Sequence, residues 1–240
     1  MAHNTHPAFN FAEGEVLLVD KPLRWTSFDV VHKIRNAIKP LKVKVGHAGT
    51  LDPLATGLLV ICTGKFTKRI EEFQAQEKEY TGVITLGATT PSYDLEQEID
   101  QRFDFSGITH EQLLETAASF VGEIDQVPPA HSAVKIGGER VYEKARRGET
   151  VMVKSRKVHI REFEVTNITM PEVEFRVVCS KGTYIRSLAH DFGKTLDNGA
   201  HLSRLRRTRS GDFHVDAAWQ LPDLVKRIKD VTFASSDEDI

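Results

Sequence analysis

Segments typical of strands and of helices follow one another in irregular order along this chain, and that irregularity constrains its fold more than any other feature. Residues 15–20 and 79–87 are typical of strands, whereas capping-box sequences at Thr26 and Thr109 precede apolar residues at helical spacing. A chain without strict strand–helix–strand alternation favours antiparallel pairing. The sequence therefore predicts an α+β fold, in which a mixed, mostly antiparallel sheet carries flanking helices.

A loop punctuated by glycine and proline, residues 46–57, leads into the apolar segment 58–62. The loop holds Asp52 immediately before Pro53, and a proline biases the residue before it toward an extended backbone. Three glycines in the loop permit tight turns and the close approach of other segments. Such a loop can hold a carboxylate at the floor of a cleft, although Asp-Pro is also a common way to begin a turn.

Composition argues against several classes of protein. No apolar segment reaches the roughly 18 residues that indicate a membrane span, and residues 1–15 lack the pattern of a signal peptide. Cys62 and Cys179 lie in apolar, strand-like segments, which is typical of buried reduced thiols and favours a cytoplasmic protein. The 10 histidines show no ligand spacing, so we expect no metal.

Charge is segregated along a chain whose net charge is only −2. Nine basic and three acidic residues lie between Lys135 and Arg161, residues 201–211 hold four arginines and no carboxylate, and residues 92–125 are strongly acidic. Segregation of this kind fits one cationic face for a polyanion, and it fits a set of solvated surface charges equally well.

Several motifs, spread in order over residues 15–224, closely resemble those of the TruB-type pseudouridine synthases. They are DKP at residues 20–22, GHAGTLDPLATGLL around Asp52, KEYTGVITLG around Tyr80, CSKGTYIRSLAHDFG around Arg186 and GAHLSRLRRTRSGDF around Leu205. A set of ordered motifs is far more specific than any one of them. The resemblance implies that the chain isomerises one uridine in the T-loop of tRNA, at position 55, to pseudouridine.

The resemblance also implies a role for each matching residue. Asp52 matches the catalytic aspartate, and Arg186 matches the arginine that pairs with it. The implied substrate-binding residues are Tyr80 and Tyr184 beside the target base, Leu205 in the wall of the base pocket, His47 inserted into the T-loop, and Lys21 near the site. The isomerisation involves neither a redox change nor net hydrolysis, so we expect no cofactor. A guanidinium can keep a buried carboxylate ionised and can bind both of its oxygens.

Residues 128–148 match the family's thumb-like insertion, and their charges with paired prolines and glycines favour a projecting segment over core. The candidate phosphate contacts in this segment are Lys135, Arg140, Lys144, Arg146 and Arg147. Asp94 matches a further family position and is predicted to contact RNA, although Pro91, Ser92 and Gln97 depart from the family's usual sequence. Contacts of this kind have to offset the cost of flipping the target base, which is roughly a few kcal/mol.

We expect one catalytic domain over residues 1–240, with an acidic tail at residues 232–240 and without the C-terminal PUA domain that many family members carry. The expected partner is the T-arm stem-loop of tRNA, with no membrane and no obligate protein partner. Two alternatives stay open. An RNA-binding protein of the same fold could have lost its chemistry, against which intact Asp52, Tyr80 and Arg186 argue; a carboxylate-pair hydrolase such as a glycosidase would need a second carboxyl group near Asp52.

Overall fold

The structure, a computed structural model, describes residues 9–129, 135–136, 139–140 and 153–234. The helices are α1 (Ser27–Ala37), α2 (Ile70–Ala75), α3 (His110–Ser119), α4 (Ile185–Thr195) and α5 (Leu221–Ala234), and short 3-10 helices lie at Lys39–Leu41, Gly64–Arg69 and Val215–Ala217. The first seven strands are β1 (Val16–Lys21), β2 (Val45–His47), β3 (Ala55–Thr63), β4 (Lys78–Leu86), β5 (Ala88–Thr89), β6 (Gln101–Arg102) and β7 (Gly122–Gln126). The others are β8 (Lys135–Ile136), β9 (Glu139–Arg140), β10 (Arg156–Thr169), β11 (Glu172–Cys179), β12 (Ala200–Ser210), β13 (Phe213–His214) and β14 (Trp219–Gln220).

The sheet is mixed and mostly antiparallel, with flanking helices, which confirms the predicted α+β class. The described residues divide into two compact units, one drawn from residues 1–76 and 207–240 and the other from residues 77–206. Strand β12 is divided at Arg206, so its first residues belong to the second unit and its last residues to the first. The prediction of a single catalytic domain stays a prediction.

The first unit is built around strand β3, which is buried on both faces. Its strands are ordered β14-β1-β3-β12, and β1 pairs antiparallel with β3 and parallel with β14. Because side chains alternate along a strand, Leu59 and Ile61 face α1 and α5, whereas Leu58, Val60 and Cys62 pack with Phe73 and Val215 on the other side. Burial on both faces explains why this segment is continuously apolar in the sequence.

Helix α1 begins at the predicted capping box. The Thr26 hydroxyl accepts a hydrogen bond from Asp29 N at 3.0 Å, and the Asp29 carboxylate accepts one from Thr26 N at 2.8 Å. The buried face of the helix is formed by Ser27, Val30, Val31, Ile34 and Ala37. Phe28, which belongs to the apolar spacing of the sequence, lies instead on the opposite face and is 61% exposed.

In the second unit the strand order is β12-β4-β11-β10-β7. Strand β4 pairs antiparallel with β11, β11 with β10, and β10 with β7. Phe163 of β10 lies at the centre of an aromatic cluster. Its ring centroid is 5.7 Å from that of Phe175 on β11, 5.9 Å from that of Phe192 on α4 and 6.3 Å from that of Phe120 after α3. Offset and tilted rings at these separations are favourable beyond the area they bury.

Parts of two predicted segments lie outside the described residues. Within the thumb-like insertion, Lys135 and Arg140 are opposite each other in the β8–β9 pair, whereas Lys144, Arg146 and Arg147 lie outside the described residues. In the predicted acidic tail, residues 232–234 end helix α5 and residues 235–240 are outside the description. Among the residues that are described, none of the helices combines the length and apolarity needed to span a membrane.

The two phenylalanine environments predict different stabilities. Phe192→Ala should lower the free energy of unfolding by about 3–5 kcal/mol, since it removes a fully buried ring from the Phe163 cluster. Phe28→Ala should lower it by less than about 1 kcal/mol, because only an exposed ring and a surface cation–π contact are lost. Urea unfolding of both variants measures the difference, and equal losses would contradict the assigned burial.

Candidate active site

The loop that carries Asp52 is held on both sides of the aspartate, by the first residue of helix α1 and by a residue shortly before that helix. The Ser27 hydroxyl donates a hydrogen bond to Leu51 O at 3.1 Å and accepts one from Leu51 N at 2.8 Å. On the other side, Arg24 N donates to Pro53 O at 2.7 Å. Asp52 itself is half-buried, and its carbonyl accepts from Ala55 N at 3.0 Å to close the turn. The backbone at Asp52 is therefore held by hydrogen bonds to both neighbouring residues.

Lys21, the last residue of β1, is 1% exposed and directs its ammonium at backbone carbonyls. Its Nζ donates to Trp25 O at 2.6 Å and to Pro22 O at 2.9 Å, and it lies 3.5 Å from Pro53 O. Burial lowers the pKa of Lys21 to about 8, and the opposing attraction of the Asp52 carboxylate limits that fall. The predicted contact of Lys21 with substrate stays a prediction, but the structure gives this residue a place beside the Asp52 loop.

Arg207, in the last part of β12, supports the same loop from a position that is 1% exposed. Its Nε donates to Leu58 O at 2.7 Å and its Nη2 to Gly49 O at 3.1 Å. Gly57 has a positive φ of 99°, and a Cβ there would lie 2.3 Å from Arg207 O. The sequence identifies Arg207 only as one of four clustered arginines, and no pattern distinguishes this buried member from the others.

His47 lies on β2 opposite Ile61 of β3 and is half-buried. Burial lowers the pKa of His47, and the nearby Arg207 cation lowers it further. Both effects favour the neutral imidazole. Its predicted insertion into the T-loop stays a prediction.

In the second unit, Arg186 lies in the first turn of α4 and is 4% exposed. Its Nε is 3.6 Å from the Asp94 carboxylate, whose side chain is 6% exposed, and its Nη1 donates to Ser92 O at 3.3 Å. Asp94, which the sequence predicts as an RNA contact, is thus a buried ion-pair partner of Arg186. Its contact with RNA stays a prediction.

The start of α4 is fixed by a side chain from a neighbouring strand. Gln126, at the end of β7, donates from Nε2 to Tyr184 O at 3.1 Å and accepts at Oε1 from Tyr184 N at 2.7 Å. The guanidinium of Arg156 lies over the Tyr184 ring, 4.5 Å from its centroid, and also donates to Gly182 O. Tyr184 therefore occupies the N-cap position of α4, directly before Ile185, while its ring stacks under a cation.

Tyr80 and Leu205 lie on the neighbouring strands β4 and β12. Tyr80 is nearly buried and is opposite Val177 of β11, and Leu205 is half-buried. The structure thus gathers Asp52, Lys21 and His47 around one loop of the first unit. It also places Arg186 with Asp94 in the second unit. Among the residues that the structure describes, His, Cys, Asp and Glu form no group of three or more that could hold a metal ion.

Comparison with known proteins identifies the family. A family model described as TruB family pseudouridylate synthase (N terminal domain) matches residues 35–185, and one described as tRNA pseudouridylate synthase B C-terminal domain matches residues 186–236. The chain belongs to the TruB family of pseudouridylate synthases. This membership confirms the resemblance of the motifs and makes the chain a pseudouridine synthase by family.

Relatives of this TruB-family chain share most of its length. A protein named tRNA pseudouridine synthase B from Flavobacterium johnsoniae is 59% identical over 213 residues, which are 87% of this chain and 93% of the relative. Proteins of the same name from Phocaeicola vulgatus and Bacteroides thetaiotaomicron are 56% and 51% identical, over 86% and 96% of this chain and 90% and 99% of their own.

Solved structures share the fold of this TruB-family chain. A chain of a Cbf5-Nop10-Gar1 complex is 34% identical with a TM-score of 0.70, and a chain of an H/ACA RNP bound to a substrate RNA containing 2'-deoxyuridine is 30% identical with a TM-score of 0.67. Each alignment covers 90% of this chain, but only 54% and 53% of the solved chains, so this chain spans about half of their length.

The setting of Lys21 predicts its titration. In 15N-lysine-labelled protein, the Nζ resonance of Lys21 should titrate near pH 8, well below the ordinary lysine value of about 10.4. In Asp52→Asn the midpoint of the Lys21 resonance should fall further, because the attraction of the carboxylate is lost. NMR-detected titration of both proteins measures the shift in the pKa of Lys21. A midpoint that is unchanged by Asp52→Asn would show that the carboxylate does not act on the Lys21 ammonium.

Proposed function

We propose that this pseudouridine synthase isomerises one uridine in the T-loop of tRNA, and that Asp52 is its catalytic carboxylate. The observation that carries the proposal is the loop of Asp52, in which the backbone of the family's motif is held by hydrogen bonds to Leu51 and Pro53. Relatives named tRNA pseudouridine synthase B support tRNA as the substrate, since they are up to 59% identical over most of the chain. The motifs of the sequence support the T-loop as the site of modification.

The reaction is an isomerisation, which defines what the site has to supply. The N1–C1′ bond breaks and a C5–C1′ bond forms, while C5 loses a proton and N1 gains one, so atoms and charge balance without a cofactor. Asp52 acts in its ionised form, either by attack on the sugar or by taking a proton from it. A loop backbone that is already held by hydrogen bonds needs less reorganisation as the reaction proceeds.

Arg186 keeps that carboxylate ionised in the proposed mechanism. A guanidinium stays charged even when it is buried, and here Asp94 already orients it. Since a carboxylate repels phosphate, the burial of Asp94 favours a role in orienting Arg186 over a direct contact with the RNA backbone.

The remaining site residues recognise the substrate in this proposal. Tyr80 stacks on the flipped uracil, Tyr184 and Leu205 line its pocket, and His47 enters the T-loop as a neutral side chain. Stacking of a base on an aromatic ring contributes roughly 1–3 kcal/mol. Cations of the thumb-like insertion, such as Lys135 and Arg140, contact phosphates and help to offset the cost of base flipping.

We also propose that the protein acts in the cytoplasm, where tRNA is its substrate and thiols stay reduced. Cys62 and Cys179 are both free and buried, and burial raises their pKa to about 11 and about 12. Such thiols are poor nucleophiles at neutral pH. The absence of an obligate protein partner stays a prediction, since the similar solved chains named above include one in a complex with Nop10 and Gar1.

Substitution of Asp52 tests the catalytic assignment. Asp52→Asn should abolish pseudouridine formation in an unmodified tRNA transcript, because the amide is neutral, while the Kd for tRNA stays within a few-fold. Mapping of pseudouridine at single-nucleotide resolution measures both the yield and the position. The matched control is Asp216→Asn, an exposed carboxylate of the same unit, which should retain full turnover. Turnover near wild type in Asp52→Asn would remove Asp52 from its role, and modification of a uridine elsewhere would overturn the T-loop assignment.

A second substitution tests whether the proposed role of Arg186 requires the shape of its guanidinium as well as its charge. Arg186→Lys should slow single-turnover pseudouridine formation by roughly 10²–10³-fold, because an ammonium cannot reproduce the planar, bidentate geometry. Arg161→Lys, at an exposed ion pair of the same unit, should react at the wild-type rate. If Arg186→Lys also keeps the wild-type rate, charge alone suffices and the bidentate role is wrong.

A further inference from the structure

Helix α1 presents an exposed aromatic ring between basic side chains. Phe28 is exposed, the Arg35 guanidinium lies 5.9 Å from its ring centroid, and the His32 ring stacks against it at 6.4 Å with an interplanar angle of 10°. These three residues follow one stripe of the helix, on the face opposite to its buried side chains. A single exposed phenylalanine is ordinary by itself. Here the ring lies beside a cation and an imidazole, which gives the stripe both a stacking face and positive charge.

A concave pocket of about 300 Å³ opens beside this stripe. Its lining includes Arg24 and Trp25 before the helix, and Asp29, His32 and Lys33 within it. That volume is at the lower end of the range for small-ligand sites, and an indole side chain with flanking cations is a suitable lining for a heterocycle. The residues Arg24, Trp25, Phe28, His32, Lys33 and Arg35 are named the α1 surface below.

The charge of the α1 surface is positive. Arg24, Lys33 and Arg35 are all exposed and carry fixed positive charges. The carboxylate in the pocket lining, Asp29, accepts hydrogen bonds from Thr26 N at 2.8 Å and from the Thr26 hydroxyl at 2.6 Å, and these bonds lower its pKa. The three basic side chains therefore outnumber the one carboxylate, which is engaged in capping the helix. A surface with such an excess of positive charge attracts a polyanion.

The α1 surface is attached directly to the loop of Asp52. Arg24 has a left-handed backbone, with φ of 66°, and its N–H donates to Pro53 O at 2.7 Å. Three residues later, the hydroxyl of Ser27 forms hydrogen bonds with both backbone groups of Leu51. A ligand held on α1 therefore lies at a fixed offset from Asp52 within the same unit.

We propose that the α1 surface binds a second, non-reacting nucleotide of the substrate tRNA. The proposal rests on tRNA as the substrate and names a new site on this chain for it. The base stacks on Phe28 or enters the pocket beside Trp25, and the adjoining phosphates are bound by Arg24, Lys33 and Arg35. A guanidinium that lies over a ring still has N–H donors directed outward in its own plane, where they can reach a phosphate. The excess of cations favours RNA over a protein partner or a second copy of the chain.

Binding measurements on variants test the proposal. Phe28→Ala should raise the Kd for an unmodified tRNA transcript about tenfold, which corresponds to about 1.4 kcal/mol at 25 °C and lies within the usual stacking range. Lys33→Gln/Arg35→Gln should lower the slope of log Kd against log salt by about 1.4, at about 0.7 for each lost phosphate contact on a single strand. The control is Lys226→Gln/Lys229→Gln, which removes two exposed lysines from α5 of the same unit and should leave the salt slope unchanged.

A kinetic measurement separates this site from the catalytic one. At saturating tRNA, Phe28→Ala should form pseudouridine with a kcat within twofold of wild type, while KM rises about as much as Kd, since the Asp52 loop is intact. Failure of the proposed function would be visible in the wild-type protein, as modification at another position or none at all. Failure of the α1 proposal would be visible only in the variants.

Two outcomes overturn the α1 proposal. In the first, Phe28→Ala and Lys33→Gln/Arg35→Gln bind tRNA with the wild-type Kd and salt slope. In the second, they bind tRNA as the wild type does but change the molar mass measured by light scattering, which would assign the surface to contacts between copies of the protein. Urea unfolding of each variant checks that a change in binding does not come from loss of folded protein.

Discussion

The hydrogen bonds that link Arg24 and Ser27 to the residues on either side of Asp52 are the interaction on which the proposed function depends. An aspartate in a glycine-rich loop has many conformations available, and a reaction that remakes a glycosidic bond requires one of them. On one side of Asp52, the Ser27 hydroxyl restricts the backbone through its hydrogen bonds to Leu51. On the other side, the Arg24 N–H restricts it through a hydrogen bond to Pro53 O. The helix that performs this task is itself fixed by a capping box and a buried face.

Buried cations complete the support of the loop, and each of them is satisfied mainly by backbone oxygen. The Lys21 ammonium and the Arg207 guanidinium both donate to carbonyls around the loop. Burying a cation costs free energy unless its N–H groups find hydrogen-bond acceptors. Backbone carbonyl oxygens supply those acceptors without adding a second buried ion. Arg186 follows a different solution, because its partner at 3.6 Å is the carboxylate of Asp94. Removing Asp94 alone would take one counter-charge from this buried guanidinium, and breaking a buried pair from one side is generally destabilising.

Much of this arrangement could be predicted from sequence, for reasons that particular residues illustrate. The capping boxes at Thr26 and Thr109 depend on local chemistry, and both are present. The segment before Cys62 is continuously apolar because both faces of β3 are buried, and the sequence shows this directly. Phe28 was less predictable, since helical spacing shows that apolar residues recur but not which face meets the core. Ser27 takes the buried position because its hydroxyl has partners in Leu51, and that pairing depends on a segment 24 residues away. Arg207 and Asp94 were unpredictable for the same reason, because their burial depends on tertiary neighbours.

The side-chain amide of Gln126 has a consequence for the residue that it contacts. It pairs with both backbone groups of Tyr184 as another strand would, and so it holds the residue before α4 in an extended conformation, although no side chain at position 184 caps the helix. Most N-cap positions are restricted to small polar residues, because the side chain itself must accept the first N–H groups of the helix. The Tyr184 side chain accepts none of those N–H groups, and Gln126 instead fixes the backbone of the N-cap residue itself. A large aromatic residue can then occupy the entrance to a helix, and its ring is left to serve a purpose unrelated to helix initiation.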